Sequence, residues 1–194
     1  MSRLLYLIYL MGASGSGKDS LLDALRQHLP ANVTVAHRYI TRPADAGSEN
    51  HIALSEAEFL QRRQQGLFAL EWHAHQCRYG VGIEIDHWMQ LGCHVVMNGS
   101  RAHLEKARQR YGQRLLPVCL QVSDDVLASR LSQRGREDAA QIACRLQRAR
   151  EYASALPAGC HLLNNDGALQ ETLQHLLAVL SLPVSVPVYP VTSR

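Results

Sequence analysis

Lysine is almost missing from this chain: Lys18 and Lys106 are the only two, and arginine supplies every other fixed cation. Aromatic residues are scarce, at 6%, and no basic stretch is interleaved with them, which excludes the stacking, phosphate-tracking groove of a nucleic-acid binder. The formal charge of +3 is too small to argue otherwise. The apolar run Leu4 to Met11 is far short of the roughly 20 residues a membrane span needs, and it lacks a secretory cleavage pattern. A cytoplasmic protein with no membrane partner is therefore expected. Cys77, Cys93, Cys119, Cys144 and Cys160 are odd in number, widely spaced and mostly set among apolar neighbours. That excludes a disulfide framework and argues against a zinc site, leaving packed thiols in a reducing compartment. Repeats and low-complexity tracts are absent too, so a solenoid is excluded. At 194 residues the chain is expected to form one domain with a core that needs no staples.

What is present begins with Gly12-Ala13-Ser14-Gly15-Ser16-Gly17-Lys18-Asp19, between the apolar run and Leu21, Leu22 and Leu25. Strand, glycine-rich loop and helix in that order make a phosphate cradle, in which loop N–H groups converge at the positive end of a helix. Gly12, Gly15 and Gly17 are expected to curl the loop with positive φ, and Lys18 to reach the outer phosphates of ATP. Asp19 replaces the hydroxyl residue that usually touches magnesium, and Ser20 comes one place late. Two readings stay open for Asp19: a hard oxygen ligand for Mg²⁺ or its water, or an ordinary helix-start residue. The arginine bias also has two readings, a two-point grip on phosphate or a GC-rich coding composition.

Along the rest of the chain strand and helix alternate, as in an α/β fold. Pro30 is expected to stop the first helix, and Val33 to Ala36 to form a strand leading to His37-Arg38-Tyr39-Ile40-Thr41-Arg42-Pro43. Ser55 and Glu58 have capping-box spacing, opening a helix to Gly66. Phe68 to Ala74 is strand-like, Ile83 to Leu91 a short helix, and His94 to Asn98 a strand. Ser100 is expected to cap a helix to Tyr111, followed by a strand over Leu115 to Val122 and a helix opened by Ser123-Asp124-Asp125. Leu162 to Asn165 is the last strand, Leu169 to Leu180 the last helix, and the Pro/Val-rich stretch 183–194 an extended tail. His73 and His75 alternate on one strand face but have no third ligand in register.

The order of motifs resembles the guanylate-kinase branch of the P-loop kinases over nearly all of residues 1–182. Thr41-Arg42-Pro43 with Gly47 is similar to the turn that opens its acceptor lobe, and Ser55-Glu56-Ala57-Glu58-Phe59 to its Ser-x-x-Glu-Phe helix start. Arg130, Arg134-Gly135-Arg136-Glu137 and Arg145 resemble its arginine lid, and Asn165-Asp166 the pair near the adenine. The resemblance implies a P-loop NTPase fold, a three-layer α/β parallel sheet of the nucleoside monophosphate kinase type, with an acceptor lobe at about 38–82 and a lid at about 134–145. It implies ATP as donor and Mg²⁺ as cofactor, with Gly12 to Ser20, Arg130 and Asn165 at the nucleotide and Lys18, Arg134 and Arg145 in phosphoryl transfer.

The departures bear on the acceptor. His51 stands where the branch has a phosphate-touching tyrosine, Asn98-Gly99-Ser100-Arg101 where it has an acidic pair, and Asp45 where it has an arginine. Glu71, beside Trp72, is the one acidic residue left near the expected guanine contact. A pocket without its purine readers should not select GMP, because a buried base without partners is costly. The fuller motif set, with Tyr79-Gly80-Val81-Gly82-x-Glu84-Ile85-Asp86 and Asn98-Gly99-Ser100-Arg101, resembles members whose acceptor is a sugar phosphate. Arg38, Arg42, Arg78 and Arg101 are then the candidate phosphate grips, with His51, Glu71, Tyr79, Asn98 and Ser100 beside them. Arg130, Arg134 and Arg136 also read as a solvated helix face, a nucleotide kinase and a non-catalytic binding module remain alternatives, and a homodimer stays open.

Overall fold

A computed structural model describes residues 5–28, 30–135 and 138–181, and the Arg134 and Ser181 side chains are outside it. Arg136 and the stretch 183–194 therefore lie outside the described residues. The first strand, β1 (Leu7–Gly12), is apolar along its whole length and buried on both faces, as a central parallel strand must be. It is followed by α1 (Lys18–Gln27), β2 (Val33–Val35), β3 (Arg38–Ile40), β4 (Ile52–Ala53), α2 (Glu56–Gln64), β5 (Phe68–Ala74) and β6 (Cys77–Gly82). Then come α3 (Glu84–Gln90), β7 (His94–Asn98), α4 (Leu104–Tyr111), β8 (Leu115–Gln121), α5 (Asp124–Arg134), α6 (Ala139–Ser154), β9 (His161–Asn164) and α7 (Leu169–Ser181).

Five strands form a parallel sheet in the order β2-β7-β1-β8-β9, with Leu7 of β1 level with Val95 on one side and Leu115 on the other. Alternation along β1 sends Ile8 and Leu10 into a core shared with Leu21, Leu25, Leu173 and Leu176 of α1 and α7. Leu7, Tyr9 and Met11 face the other way, onto a core with Ile85, Met89, Leu104 and Ala107 of α3 and α4. This is the expected three-layer α/β architecture. Because β1 has β7 on one side and β8 on the other, a crevice opens where its carboxyl end reaches Gly12, the place where open parallel sheets bind ligands.

A smaller sheet, β4-β3-β6-β5, stands beside that crevice. Its β5–β6 hairpin turns through His75 and Gln76, both at positive φ (49° and 61°), a two-residue loop whose twist matches its strands. Helix α2 closes one face, with Phe59 stacked on Phe68 at 4.5 Å and Phe68 lying so close to Gly80 that a Cβ there would come within 2.6 Å.

Helix α1 ends at Gln27 and its C-cap is His28, just ahead of Pro30, as expected. Other local expectations are corrected. Ser55 makes only half a capping box: it accepts from the Glu58 N–H at 3.1 Å, while the Glu58 carboxylate turns out to Arg62 at 2.9 Å. Ser100 makes no side-chain cap; its backbone instead grips Tyr9, whose hydroxyl donates to its carbonyl at 2.8 Å and accepts from its N–H at 3.0 Å. A 3₁₀ turn over Arg101–His103 then leads into α4. The short strands β3, β4 and β6 and the 16-residue α6 are not among the expected elements. Helix α6 opens with a complete capping box between Asp138 and Gln141. Of the cysteines, Cys119 is buried and Cys77, Cys93 and Cys160 half-buried, but Cys144 is exposed on α6 rather than packed.

Candidate active site

The glycine loop is shaped by two positive-φ glycines, Gly15 (88°) and Gly17 (95°). Gly12 corrects the expectation of three: it ends β1 without positive φ and is required for close approach, since a Cβ would lie 2.8 Å from the Leu120 carbonyl and 2.6 Å from Ser16 Oγ. Gly17 is the N-cap of α1, so the free N–H groups of the first helical turn face the loop. Lys18 Nζ donates to the Gly12 and Ala13 carbonyls at 2.7 and 3.1 Å, closing the loop around its own lysine. Burial pushes the Lys18 ammonium down from 10.5 to about 8, against the pull of neighbouring Asp19. Asp19 accepts from Ser48 Oγ at 2.9 Å and from Asn98 Nδ2 at 3.3 Å.

Behind the loop sits Asn165, buried, with both ends of its amide in use. Its Nδ2 donates to the Ser16 carbonyl at 2.7 Å and its Oδ1 accepts from Thr172 at 2.8 Å. Arg130 donates to the Asn165 carbonyl at 2.7 Å. Asn165 therefore braces the loop, and its neighbours Asn164 and Asp166 line an adjoining pocket of about 320 Å³, with Ala13, Leu127 and Tyr152.

On the other side of the loop lies a cleft of about 650 Å³. Its walls are Gly12, Ser14, Gly15, Gly17, Lys18, Asp19 and Ser20 from the glycine loop and the start of α1, Arg38, Trp72 and Tyr79 from the smaller sheet with Ser48, Glu49 and His75 from its connecting turns, and Asn98, Ser100, Arg101 and Tyr152 from β7, its following turn and α6. Arg38 is not free in it. Its Nε and Nη2 donate to the Glu49 carboxylate at 2.6 and 2.5 Å, and its guanidinium lies 5.0 Å from the Tyr79 ring centre and 5.7 Å from that of Trp72. Burial alone would raise the Glu49 carboxyl; Arg38, with Arg42 and His51 behind it, holds it below the usual range. Arg101 donates to the Tyr152 carbonyl at 2.6 Å, with its guanidinium 4.6 Å from that ring's centre.

Other expected residues lie elsewhere. In the hairpin register Trp72 opposes Tyr79, Glu71 opposes Gly80 and His73 opposes Arg78, so the period of two puts Glu71 and Arg78 on the face away from the cleft. There Glu71 accepts from Arg63 at 2.8 Å and Arg78 pairs with Glu56. His51 is buried between the carbonyls of Glu49 (3.0 Å) and Arg42 (3.2 Å), bracing the acceptor turn. Arg42, 3.7 Å from Glu49, lines a second opening of about 710 Å³ with Asp19, Ser48, Arg145 and Arg148. Arg145 reaches across that opening from α6 to donate to Ser14 Oγ at 2.8 Å. The side chain of Arg134 lies outside the described residues.

Glu49, Ser48, Trp72 and Tyr152 line the cleft and are not among the expected site residues. The alternation of β5 could have paired Trp72 with Tyr79 had β6 been recognised. Nothing local marks Glu49 or Tyr152, which arrive through a turn and through α6. Among the described residues no group of three or more His, Cys, Asp or Glu could hold a metal ion, and no helix is long and apolar enough to cross a membrane.

A family model described as an AAA domain matches residues 8–151. In solved structures the fold is similar to guanylate kinase from Anaplasma phagocytophilum, with TM-score 0.67 and 16% identity over 93% of this chain and 87% of that one. It is also similar to a gluconokinase from Sinorhizobium meliloti 1021, with TM-score 0.51 and 21% identity over 93% and 94%. Those likenesses speak for the fold. Sequence relatives are nearer: ribose 1,5-bisphosphate phosphokinase PhnN of Dickeya zeae (strain Ech586) is 67% identical over 90% of this chain and 93% of its own length. PhnN of Yersinia pestis is 60% identical over 94% and 95%, and that of Desulfomicrobium baculatum 52% over 90% and 93%. The chain belongs to the ribose 1,5-bisphosphate phosphokinase family, within the α/β P-loop kinases.

Proposed function

We propose that this enzyme transfers the γ-phosphoryl group of ATP to the 1-phosphate of ribose 1,5-bisphosphate, giving 5-phospho-α-D-ribose 1-diphosphate and ADP. The observation that carries the reading is the acceptor cleft. It abuts the phosphate loop and offers Arg101, Asn98 and Ser100 where a purine would need carboxylates, while Glu71 is turned out to Arg63. A cleft with cations, whose two carboxylates are already engaged (Asp19 by Ser48 and Asn98, Glu49 by Arg38), suits a phosphorylated sugar better than GMP.

In the reaction an oxygen of the 1-phosphate forms the new P–O bond as the bond from the γ-phosphorus to the β-bridging oxygen breaks, and the electron pair leaves with ADP. The nucleophile is already anionic, so no strong general base is needed; catalysis rests on alignment and neutralisation. Lys18 and the loop N–H groups hold the donor phosphates, with Arg130 behind them, and the pocket beside Asn164 and Asp166 takes the adenine. Lys18 leaves two main-chain carbonyls to do so, and phosphate restores the full charge that burial discourages. Arg145, on the lid helix, closes over the transferred group, and Arg42 and Arg101 hold the acceptor phosphates.

The donor set fits Mg²⁺: one hard carboxylate, Asp19, stands beside the loop, and a magnesium ion commonly takes one or two carboxylates, substrate phosphates and water rather than an all-protein cage. Bound there, the ion would neutralise charge on the phosphates. As part of the same proposal the enzyme works in the cytoplasm, in phosphonate breakdown. The test is an ATP-consumption screen over ribose 1,5-bisphosphate, ribose 5-phosphate, GMP and gluconate, with products identified by mass. Turnover with ribose 1,5-bisphosphate and a product heavier by one phosphoryl group is expected; turnover confined to GMP or gluconate overturns the reading.

A further inference from the structure

A cleft that takes polyanions holds two carboxylates, Asp19 and Glu49, among the residues lining it. Asp19 stands at the phosphate loop, where the magnesium role proposed above would account for it. Glu49 has no such account. Its carboxylate is clamped by both arms of Arg38, and the two side chains are 11% and 12% exposed. Arg38 is fixed in turn against Tyr79 and Trp72, whose rings are parallel and 5.6 Å apart. The guanidinium edge uses one acceptor direction on each carboxylate oxygen, and an ionised carboxylate can only accept. Such a group asks a ligand for a donor. Phosphate dianions offer none, and in a ribose bisphosphate the 2- and 3-hydroxyls are the donors available.

We propose that Glu49, held by Arg38, reads the vicinal hydroxyls of the acceptor sugar and makes the enzyme select ribose over deoxyribose; this rests on the sugar bisphosphate reading above. Arg38 is then a positioning residue, its fork filled by Glu49 rather than by substrate phosphate. The opposite arrangement, in which phosphate takes the Arg38 fork, would break a largely buried bidentate pair and leave the Glu49 carboxylate among phosphates with only the looser contact to Arg42 at 3.7 Å.

The experiment compares kcat/KM for ribose 1,5-bisphosphate and for its 2-deoxy and 3-deoxy analogues, in the wild-type enzyme, Glu49→Gln and Glu49→Ala. The wild type is expected to prefer the ribose compound over at least one analogue by roughly ten- to hundredfold, the size of a lost hydrogen bond to a charged group. Glu49→Ala should bring all three within about threefold of one another, chiefly by losing the ribose substrate, with Glu49→Gln in between. A variant that lowers all three rates equally and keeps the ratio would make Glu49 merely structural and overturn the proposal. A wild type that uses all three alike overturns it without any variant. If phosphate displaces Glu49 instead, Glu49→Ala would lower KM for every acceptor, which also overturns it. Failure of the wild type to use ribose 1,5-bisphosphate is a separate result, seen before any analogue is compared, and overturns the reaction itself.

Discussion

The donor and acceptor sides of the cleft hold their charges by different means. Around the phosphate loop the partners are mostly main chain: Lys18 lies on two carbonyls, the loop is curled by Gly15 and Gly17, and Asn165 braces it through the Ser16 carbonyl. On the acceptor side the partners are largely side chains from distant segments, as Arg38 with Glu49 and the rings of Trp72 and Tyr79. A site built from backbone in one continuous segment is rigid and indifferent to what is phosphorylated. A site built from side chains brought together by a second sheet can change its acceptor while the fold stays the same, which is how a guanylate kinase and this chain share an architecture at 16% identity.

The largest effect should follow from breaking the donor side. Lys18→Ala should lower kcat by roughly a hundred- to a thousandfold, as loss of a preorganised charge at the transferred phosphate does, while the variant melts no lower than the wild type. The pH dependence supplies a second readout without nucleotide. Because burial depresses Lys18 from 10.5 to about 8, the unfolded chain binds more protons than the folded one between those values, so the lysine's cost to stability is full below about 8 and fades as pH rises to 10.5. The melting temperature of Lys18→Ala relative to wild type should therefore be highest near pH 7 and fall towards pH 10. A constant difference would mean the ammonium is not destabilised there.

On the acceptor side, Arg42→Ala and Arg101→Ala should each lower kcat/KM for ribose 1,5-bisphosphate by about ten- to a hundredfold and leave background ATP hydrolysis near its normal rate, the loss expected for one charge-assisted contact. Equal loss of both activities would place these arginines in the donor machinery. A smaller change is expected at the seam between the two sides: Asp19→Asn should raise the magnesium needed for half-maximal rate more than the ATP needed, whereas unchanged magnesium dependence would reduce Asp19 to a helix-start residue. Smallest of all, Glu71→Ala should alter turnover by less than about twofold, because the residue is in a surface pair with Arg63 facing away from the cleft. A large loss there would mean the smaller sheet rearranges in the working enzyme.

The same contrast explains what the sequence disclosed. Strand, glycine loop and helix are contiguous, so the period of β1 and the spacing of Gly15, Gly17 and Lys18 carried the donor side directly. The strands β7 and β8 were legible as apolar runs, and β5 as an apolar stretch broken by the outward Glu71 and His73. The short strands β3, β4 and β6 have two to six residues with mixed exposure and no clean period, so they became visible only through pairing. Glu71 and Arg78 looked like site residues by position, and a hairpin register sends both to the other face. Glu49 and Tyr152 carried no local mark, since a charged residue in a turn and a tyrosine in an arginine-rich helix both read as surface until tertiary packing brings them to the cleft.

On the reading proposed above, the acceptor side takes a phosphorylated sugar and not a purine. The ratio of kcat/KM for ribose 1,5-bisphosphate to that for GMP, measured with saturating ATP and magnesium on the wild-type enzyme, tests it most directly. A ratio of at least about a hundred is expected, since a buried base facing Asn98 and Ser100, with the Glu49 carboxylate taken by Arg38, forfeits hydrogen bonds that a fitted pocket would make. A ratio near or below one would contradict the account, for the altered cleft would then still be reading a purine.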